Sequence, residues 1–90
     1  MDDYLNQIKT ISGEIWVIFK AAISTWNPES DNWWEELISV EDKCIMKYKD
    51  TPYYDYAVKY AYLVICEIER KHKEERDVRQ RISENGNEDE

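Results

Sequence analysis

The fold is decided by residues 51–68, which read TPYYDYAVKYAYLVICEI. Thr51 suits the cap of a helix, and Pro52 suits its first position because an amide there has no partner within the helix. Apolar residues then recur at steps of three or four, which is the period of one buried helical stripe. The stripe consists of Tyr54, Ala57, Val58, Ala61, Val64, Ile65 and Ile68. These residues predict a third helix from about residue 52 to 82.

Two further helices precede this one. The same period predicts a first helix over residues 3–25, with a stripe of Tyr4, Ile8, Ile11, Ile15, Ile18, Phe19 and Ala22. After a turn at residues 26–31, Asn32 and Glu35 form a possible capping box for a second helix over residues 32–49, and Ser30 or Asp31 are alternative caps. We therefore predict an all-α three-helix bundle over residues 1–82, with an extended third helix and a disordered acidic tail at residues 83–90.

The composition limits the function. The chain has 90 residues, a net charge of -8, 42% hydrophobic and 36% charged residues. One small domain is expected, with no membrane span because no apolar run approaches about 18 residues. Nucleic acid and anionic lipid repel an acidic chain, so a protein partner with a basic surface is favoured. The start, Met1-Asp2-Asp3, lacks the features of a signal peptide, so we expect a cytoplasmic protein with reduced cysteines.

We expect neither an enzyme nor a cofactor or metal site. Glu69 and His72 have the spacing of two metal ligands on one helical face, but such a site also needs carboxylates from facing helices. Glu41 lies within the apolar stripe of the second helix, where a carboxylate needs a partner such as a tyrosine hydroxyl or a lysine. No second acid, activated nucleophile or phosphate-binding loop accompanies it, so a structural role is the better interpretation.

Aromatic and acidic residues are concentrated together. Nine of the twelve aromatic residues and eight carboxylates lie between Trp26 and Tyr62. On a helical wheel, Tyr53, Tyr56, Tyr60 and Leu63 form a second apolar face, the tyrosine face, roughly 120° from the core stripe of the third helix. This face is either a subunit interface or a target site, unless the first helix or the Trp26 turn covers it. Trp33, beside Glu36 at the edge of the second helix, is expected to be exposed, whereas Trp34 belongs to the core stripe of that helix with Leu37, Ile38, Ile45 and Tyr48.

Two charged segments admit other interpretations. The carboxylates of Glu29, Asp31, Glu35, Glu36, Asp42, Asp50 and Asp55 imitate phosphates only locally, because lysines interrupt them. We favour acids that surround a hydrophobic contact. Residues 70–82 of the third helix extend beyond the second helix and carry both signs of charge, so this extension either is solvated or docks on something outside the chain.

Three sequence segments resemble small acidic helical accessory proteins of phages and mobile elements of Gram-positive bacteria. They are residues 33–38 (WWEELI), 47–52 (KYKDTP) and 67–71 (EIERK). The resemblance covers about half the chain and implies a protein that blocks a host defence, including CRISPR nucleases, by binding a protein surface.

The resulting functional prediction is a non-enzymatic protein-binding module. We expect a homodimer formed through the third helix that acts as a phage-type inhibitor of a host defence or nucleic-acid enzyme. The predicted partner-binding residues are Trp33, Glu36, Tyr53, Tyr56, Tyr60 and Leu63. The alternative is a small transcriptional or structural accessory protein that uses the charged extension of the third helix.

Overall fold

The computed structural model describes the backbone of residues 1–88 and the side chains of residues 1–81. It contains three α-helices: α1 (Asp2–Ser24), α2 (Asp31–Met46) and α3 (Tyr54–Glu88). Each helix packs against the other two. Because the two connections are short, α2 runs antiparallel to both neighbours and α1 is parallel to α3. The all-α three-helix bundle with a long third helix is thus confirmed.

The start of α2 is set by Ser30. This residue has an extended backbone, with φ -95° and ψ 126°, and its hydroxyl accepts a hydrogen bond from the Trp33 amide at 3.4 Å. Ser30 is therefore the N-cap, so the alternative cap is the one adopted and the Asn32 capping box is not formed. The helix ends at Met46, three residues before the predicted end, because residues 47–53 form the turns that reverse the chain.

Helix α3 begins at Tyr54, because the turn between α2 and α3 extends beyond Pro52. The Thr51 hydroxyl accepts the Tyr53 amide at 3.2 Å and donates to the Tyr48 carbonyl at 2.6 Å. The Tyr54 amide still bonds three residues back, to the Thr51 carbonyl, and the first helical bond runs from the Ala57 amide to the Tyr53 carbonyl. The predicted start at Pro52 is therefore two residues too early, since Pro52 lies within the turn.

Asp50 is the turn residue with a left-handed backbone, at φ 69°. Asparagine and aspartate tolerate this conformation, whereas a β-branched side chain does not. We expect Asp50→Val to lower the free energy of unfolding by about 1–2 kcal/mol. Asp50→Asn removes the charge but keeps the tolerance, so it should change the stability by less than about 0.5 kcal/mol. Urea denaturation compares the two; equal losses would mean that the charge, and not the backbone, matters here.

The core consists of two clusters of buried side chains. One contains Ile11, Ile15, Cys44, Ala57 and Ala61, and the other contains Ala22, Leu37 and Ile68. Ile18 and Val64 pack against both clusters and join them. Two residues predicted for the core stripes are instead exposed, Tyr4 and Ile38. Tyr4 lies in the first turn of α1, where fewer neighbouring side chains surround it. Ile38 points about 100° away from its neighbour Leu37, towards the flank of α2.

The extension of α3 docks on the same chain. Because α3 is parallel to α1, its second half continues past the turn at residues 25–30. The Trp26 indole donates to the Glu75 carboxylate at 2.9 Å. Glu29 accepts from Arg79 at 3.0 Å and lies 3.3 Å from the His72 ring nitrogen. The extension therefore contacts the turn at residues 25–30 from His72 to Arg79, and this part of it is not simply solvated.

The predicted acidic tail, residues 83–90, falls beyond the described side chains, and residues 89 and 90 lie outside the described backbone as well. None of the helices in the described part of the chain contains an apolar stretch of the length that a membrane span requires.

Candidate partner-binding surfaces

The tyrosine face is largely part of the bundle. Tyr53, Tyr56 and Tyr60 are half-buried and pack against the cluster that contains Ile11 and Ile15. The Tyr56 hydroxyl and the Ser12 hydroxyl are 2.7 Å apart. The Tyr53 ring also lies 6.2 Å from the ring of Tyr4. Helix α1 therefore covers much of this face, and only Leu63, at 65% exposure, is open to solvent.

Trp33 is half-buried rather than exposed. Its ring makes edge contacts with Trp26 at 5.4 Å and with Trp34 at 5.0 Å between centroids. Its indole N–H donates to the Thr25 hydroxyl at 3.3 Å. The expectation of a free Trp33 is wrong because the turn at residues 25–30 brings Trp26 against it. One edge of Trp33 still lines a groove between α1 and α2, together with the exposed Glu36.

Trp34 is held from both sides, in agreement with its predicted core role. Its indole N–H donates to the Pro28 carbonyl at 2.8 Å, and its ring lies 6.5 Å from the His72 ring. It packs against the cluster formed by Ala22, Leu37 and Ile68. Trp34 thus fixes the turn at residues 25–30 against α2 and sets the register of α2 against α3.

Glu14 connects α1 to α2. Its carboxylate accepts hydrogen bonds from the Tyr48 hydroxyl at 2.8 Å, from the thiol of Cys44 at 3.4 Å and from the Lys47 ammonium. Burial alone would raise the pKa of Glu14, but the hydrogen bonds from Lys47, Tyr48 and Cys44 outweigh it and hold the pKa below its ordinary value. Sequence reasoning missed this role, although the acid lies on the flank of the α1 stripe, where a helix neighbour is expected.

Glu41 is buried without a partner. It is 2% exposed, and neither carboxylate oxygen has a hydrogen-bond partner among the described side chains. Burial, helped by the neighbouring charge of Asp42, raises the pKa of Glu41 to about 7. The expected tyrosine or lysine partner is therefore absent from the described contacts of Glu41. The turn at Met46 and the hydrogen bonds of Glu14 direct Tyr48 and Lys47 towards α1 instead.

An exposed acidic surface lies where α2 borders α3. On α2, Asp31, Glu35, Ile38 and Asp42 recur at steps of four and three, beside Trp34. On α3, Tyr62 and Glu69 belong to the stripe that continues to His72, which faces Trp34. We call these six residues the acidic face: Asp31, Glu35, Ile38, Asp42, Tyr62 and Glu69. All six are exposed.

The carboxylates of the acidic face lack ion pairs. Among residues 1–81, no side-chain nitrogen of a lysine, arginine or histidine lies within 4 Å of a carboxylate oxygen of Asp31, Glu35, Asp42 or Glu69. Three other carboxylates on α3 do form ion pairs. Glu67 and Glu74 both pair with Arg70, and Asp55 pairs with Lys59. The negative charge of this face is therefore not compensated by ion pairs within the described part of the chain.

Ile38 and Tyr62 were not among the predicted partner-binding residues. Ile38 was assigned to the core stripe, and Tyr62 lies outside both faces considered for the third helix. Their shared signal is the spacing from acidic neighbours: Ile38 lies four residues before Asp42, and Tyr62 seven before Glu69. That signal becomes meaningful only once the two helices are known to lie side by side in this register.

The two potential metal ligands, Glu69 and His72, lie in different surroundings. His72 faces Glu29 and Trp34, whereas Glu69 lies on the acidic face. Within the described residues, no group of three or more histidine, cysteine, aspartate or glutamate side chains is arranged to hold a metal ion.

No protein-family model, curated protein or solved structure matches the chain.

Proposed function

We propose that this chain is a non-enzymatic protein-binding module whose acidic face binds a basic surface on another protein. The observation that carries the proposal is the set of four exposed carboxylates without ion pairs, described above. Uncompensated charge of one sign attracts a partner of the opposite sign and speeds its association. A basic protein surface is therefore the complementary partner.

Ile38 and Tyr62 supply the apolar contact area that the carboxylates alone do not provide. Both are large, exposed side chains amid the carboxylates, and Tyr62 is 68% exposed. Interfaces gain most of their affinity from a few aromatic and aliphatic anchors, while the surrounding polar groups orient the partner and exclude water. The acidic face combines these two parts on rigid helices, which keeps the ordering cost of binding low.

The sharper form of the proposal is inhibition. Enzymes that act on nucleic acids bind phosphates through lysine and arginine surfaces. An acidic face that covers such a surface competes with the nucleic acid. The resemblance to phage accessory proteins supplies the context, a phage-type inhibitor of a host defence or nucleic-acid enzyme in the host cytoplasm.

The alternative function, nucleic-acid contact through the α3 extension, has less support. Three of its six cations, Arg70, Lys71 and Arg79, are already paired with Glu67, Glu74 and Glu29. Phosphates would have to displace these carboxylates while approaching a chain of net charge -8. A DNA-binding titration at low salt distinguishes the two functions, because the alternative requires binding that falls steeply with added salt.

The proposal predicts the effect of neutralising the acidic face. The variant Glu35→Gln, Asp42→Asn, Glu69→Gln should bind the partner at least about tenfold more weakly, because the charges that orient the partner are gone. The partner is first captured from lysate of the native host with the unsubstituted protein, and affinities are then measured by calorimetry with that purified partner. Competition with nucleic acid for the partner tests the inhibitory form.

A matched control carries the same change of charge elsewhere. The variant Asp55→Asn, Glu67→Gln, Glu74→Gln also loses three negative charges, from -8 to -5, but at ion-paired positions. We expect its affinity to stay within about twofold of the unsubstituted protein. Equal losses in both variants would show that only net charge matters, which would refute a specific role for the acidic face.

A further inference from the structure

The groove between α1 and α2 is an open apolar surface on the other flank of α2. It has a volume of about 350 Å³ and is lined only by α1, α2 and Thr25. Its floor is formed by Ile18, Ala22 and Leu37, and its rims by Val17, at 63% exposure, and Val40, at 41%. A second depression, lined in part by Val17, Ile18 and Val40, continues the groove towards Lys43 and Lys47. The groove thus runs along most of α2.

The residues of α2 that line this groove follow a heptad pattern. Trp33, Leu37, Val40, Cys44 and Lys47 are spaced by four, three, four and three residues. This spacing is that of a helix packed along another helix: Leu37 and Cys44 pack against α1 of the same chain, and Val40 is the exposed apolar member. Glu36 and Lys43 flank Val40 and are seven residues apart, so they occupy equivalent positions in successive heptads. Neither has an ion-pair partner among the described side chains.

We propose that a second copy of this chain occupies the groove, with the two α2 helices antiparallel about a twofold axis at Val40. Antiparallel pairing about residue 40 places Glu36 beside Lys43 of the second copy, and the twofold axis repeats the contact. The Val40 side chains of the two copies meet at the twofold axis.

The charge pattern selects a second copy over other partners. The groove edge is acidic at Glu36 and basic at Lys43, whereas Lys47 is paired with Glu14 of its own chain, so the edge is its own antiparallel complement. A uniformly basic partner would meet Lys43, and a uniformly acidic one would meet Glu36. This interface differs from the dimer predicted through the tyrosine face. It leaves the acidic face, on the opposite flank of α2, exposed in both copies.

Sedimentation equilibrium of the full chain tests the proposal. The unsubstituted protein should have twice the chain mass of 10.9 kDa. Val40→Glu should give the monomer mass, because it places two carboxylates at the axis. Leu63→Glu introduces the same group at an exposed position of the tyrosine face and should leave the dimer intact. A monomeric unsubstituted protein, or dissociation by Leu63→Glu with no effect of Val40→Glu, would overturn the assignment.

A charge exchange tests the pairing itself. Glu36→Lys and Lys43→Glu should each weaken dimerisation by about tenfold or more at low salt, because each places like charges together at two symmetric sites. The double variant, Glu36→Lys with Lys43→Glu, should recover the dimer. Circular dichroism checks that each exposed substitution leaves the helices folded. If the double variant remains as weak as the single variants in a folded protein, the antiparallel pairing is refuted.

Discussion

At pH 8, the Glu41→Gln variant should be more stable than the unsubstituted protein by about 3 kcal/mol of unfolding free energy. Glu41 is 2% exposed, and neither of its carboxylate oxygens has a hydrogen-bond partner among the described side chains. Burying the ionised carboxylate is costly, whereas the amide of glutamine has the same shape and no charge. Urea denaturation of both proteins at equal concentration measures the difference.

The sign of the pH dependence follows from the direction of the pKa shift. Folding raises the pKa of Glu41 from 4.5 to about 7. Below pH 4.5 the carboxyl is protonated in both the folded and the unfolded state, so this group carries no ionisation penalty. As the pH rises towards 7, the unfolded state ionises while the folded state resists, and stability is lost. Above about 7 the loss is complete and constant.

The glutamine comparison isolates this group from the rest of the chain. The stability difference between the two proteins should shrink to less than about 1 kcal/mol at pH 4. Glu35→Gln, an exposed position on the same helix, should change stability by less than about 0.5 kcal/mol at either pH. If the stability difference between the unsubstituted protein and the Glu41→Gln variant stays the same from pH 4 to pH 8, the carboxyl is paired or solvated in solution.

Ile68→Ala should lower the unfolding free energy by about 2–5 kcal/mol. Ile68 is 1% exposed and packs with Ala22 of α1 and Leu37 of α2, so it joins all three helices at one point. Truncation removes buried methyl groups and leaves a cavity that three helix backbones do not readily close. A domain of this size has about 5–15 kcal/mol in total, so the melting temperature should fall by about 10 °C or more.

Leu63→Ala is the matched control for this core substitution. It removes a similar number of carbon atoms from the same helix, but Leu63 is 65% exposed. We expect a loss of less than about 1 kcal/mol. If both variants lose several kcal/mol, Leu63 is buried in solution, which would point to an interface at the tyrosine face. If neither does, the contact of Ile68 with the other two helices is wrong.

Local patterns predicted the helices well but their faces only in part. Steps of three and four located α1, α2 and α3 because backbone hydrogen bonding and one buried stripe act over a few residues. Trp33 and the tyrosine face were harder, since exposure depends on which neighbouring helix covers a residue. The turn at residues 25–30 placed Trp26 on Trp33, and α1 lay over Tyr56. Neither contact is visible in the spacing of one helix.

The sequence by itself determined that the chain is helical, that the helices break near residues 26–31 and 50–51, and that aromatic and acidic groups are concentrated between Trp26 and Tyr62. Only the tertiary structure decided which acids remain unpaired, that Glu41 is enclosed without a partner, and that the α3 extension docks on its own turn. The physical reason is range. Helix periodicity arises between residues three or four apart, whereas ion pairs, burial and grooves depend on residues tens of positions apart that packing alone brings together.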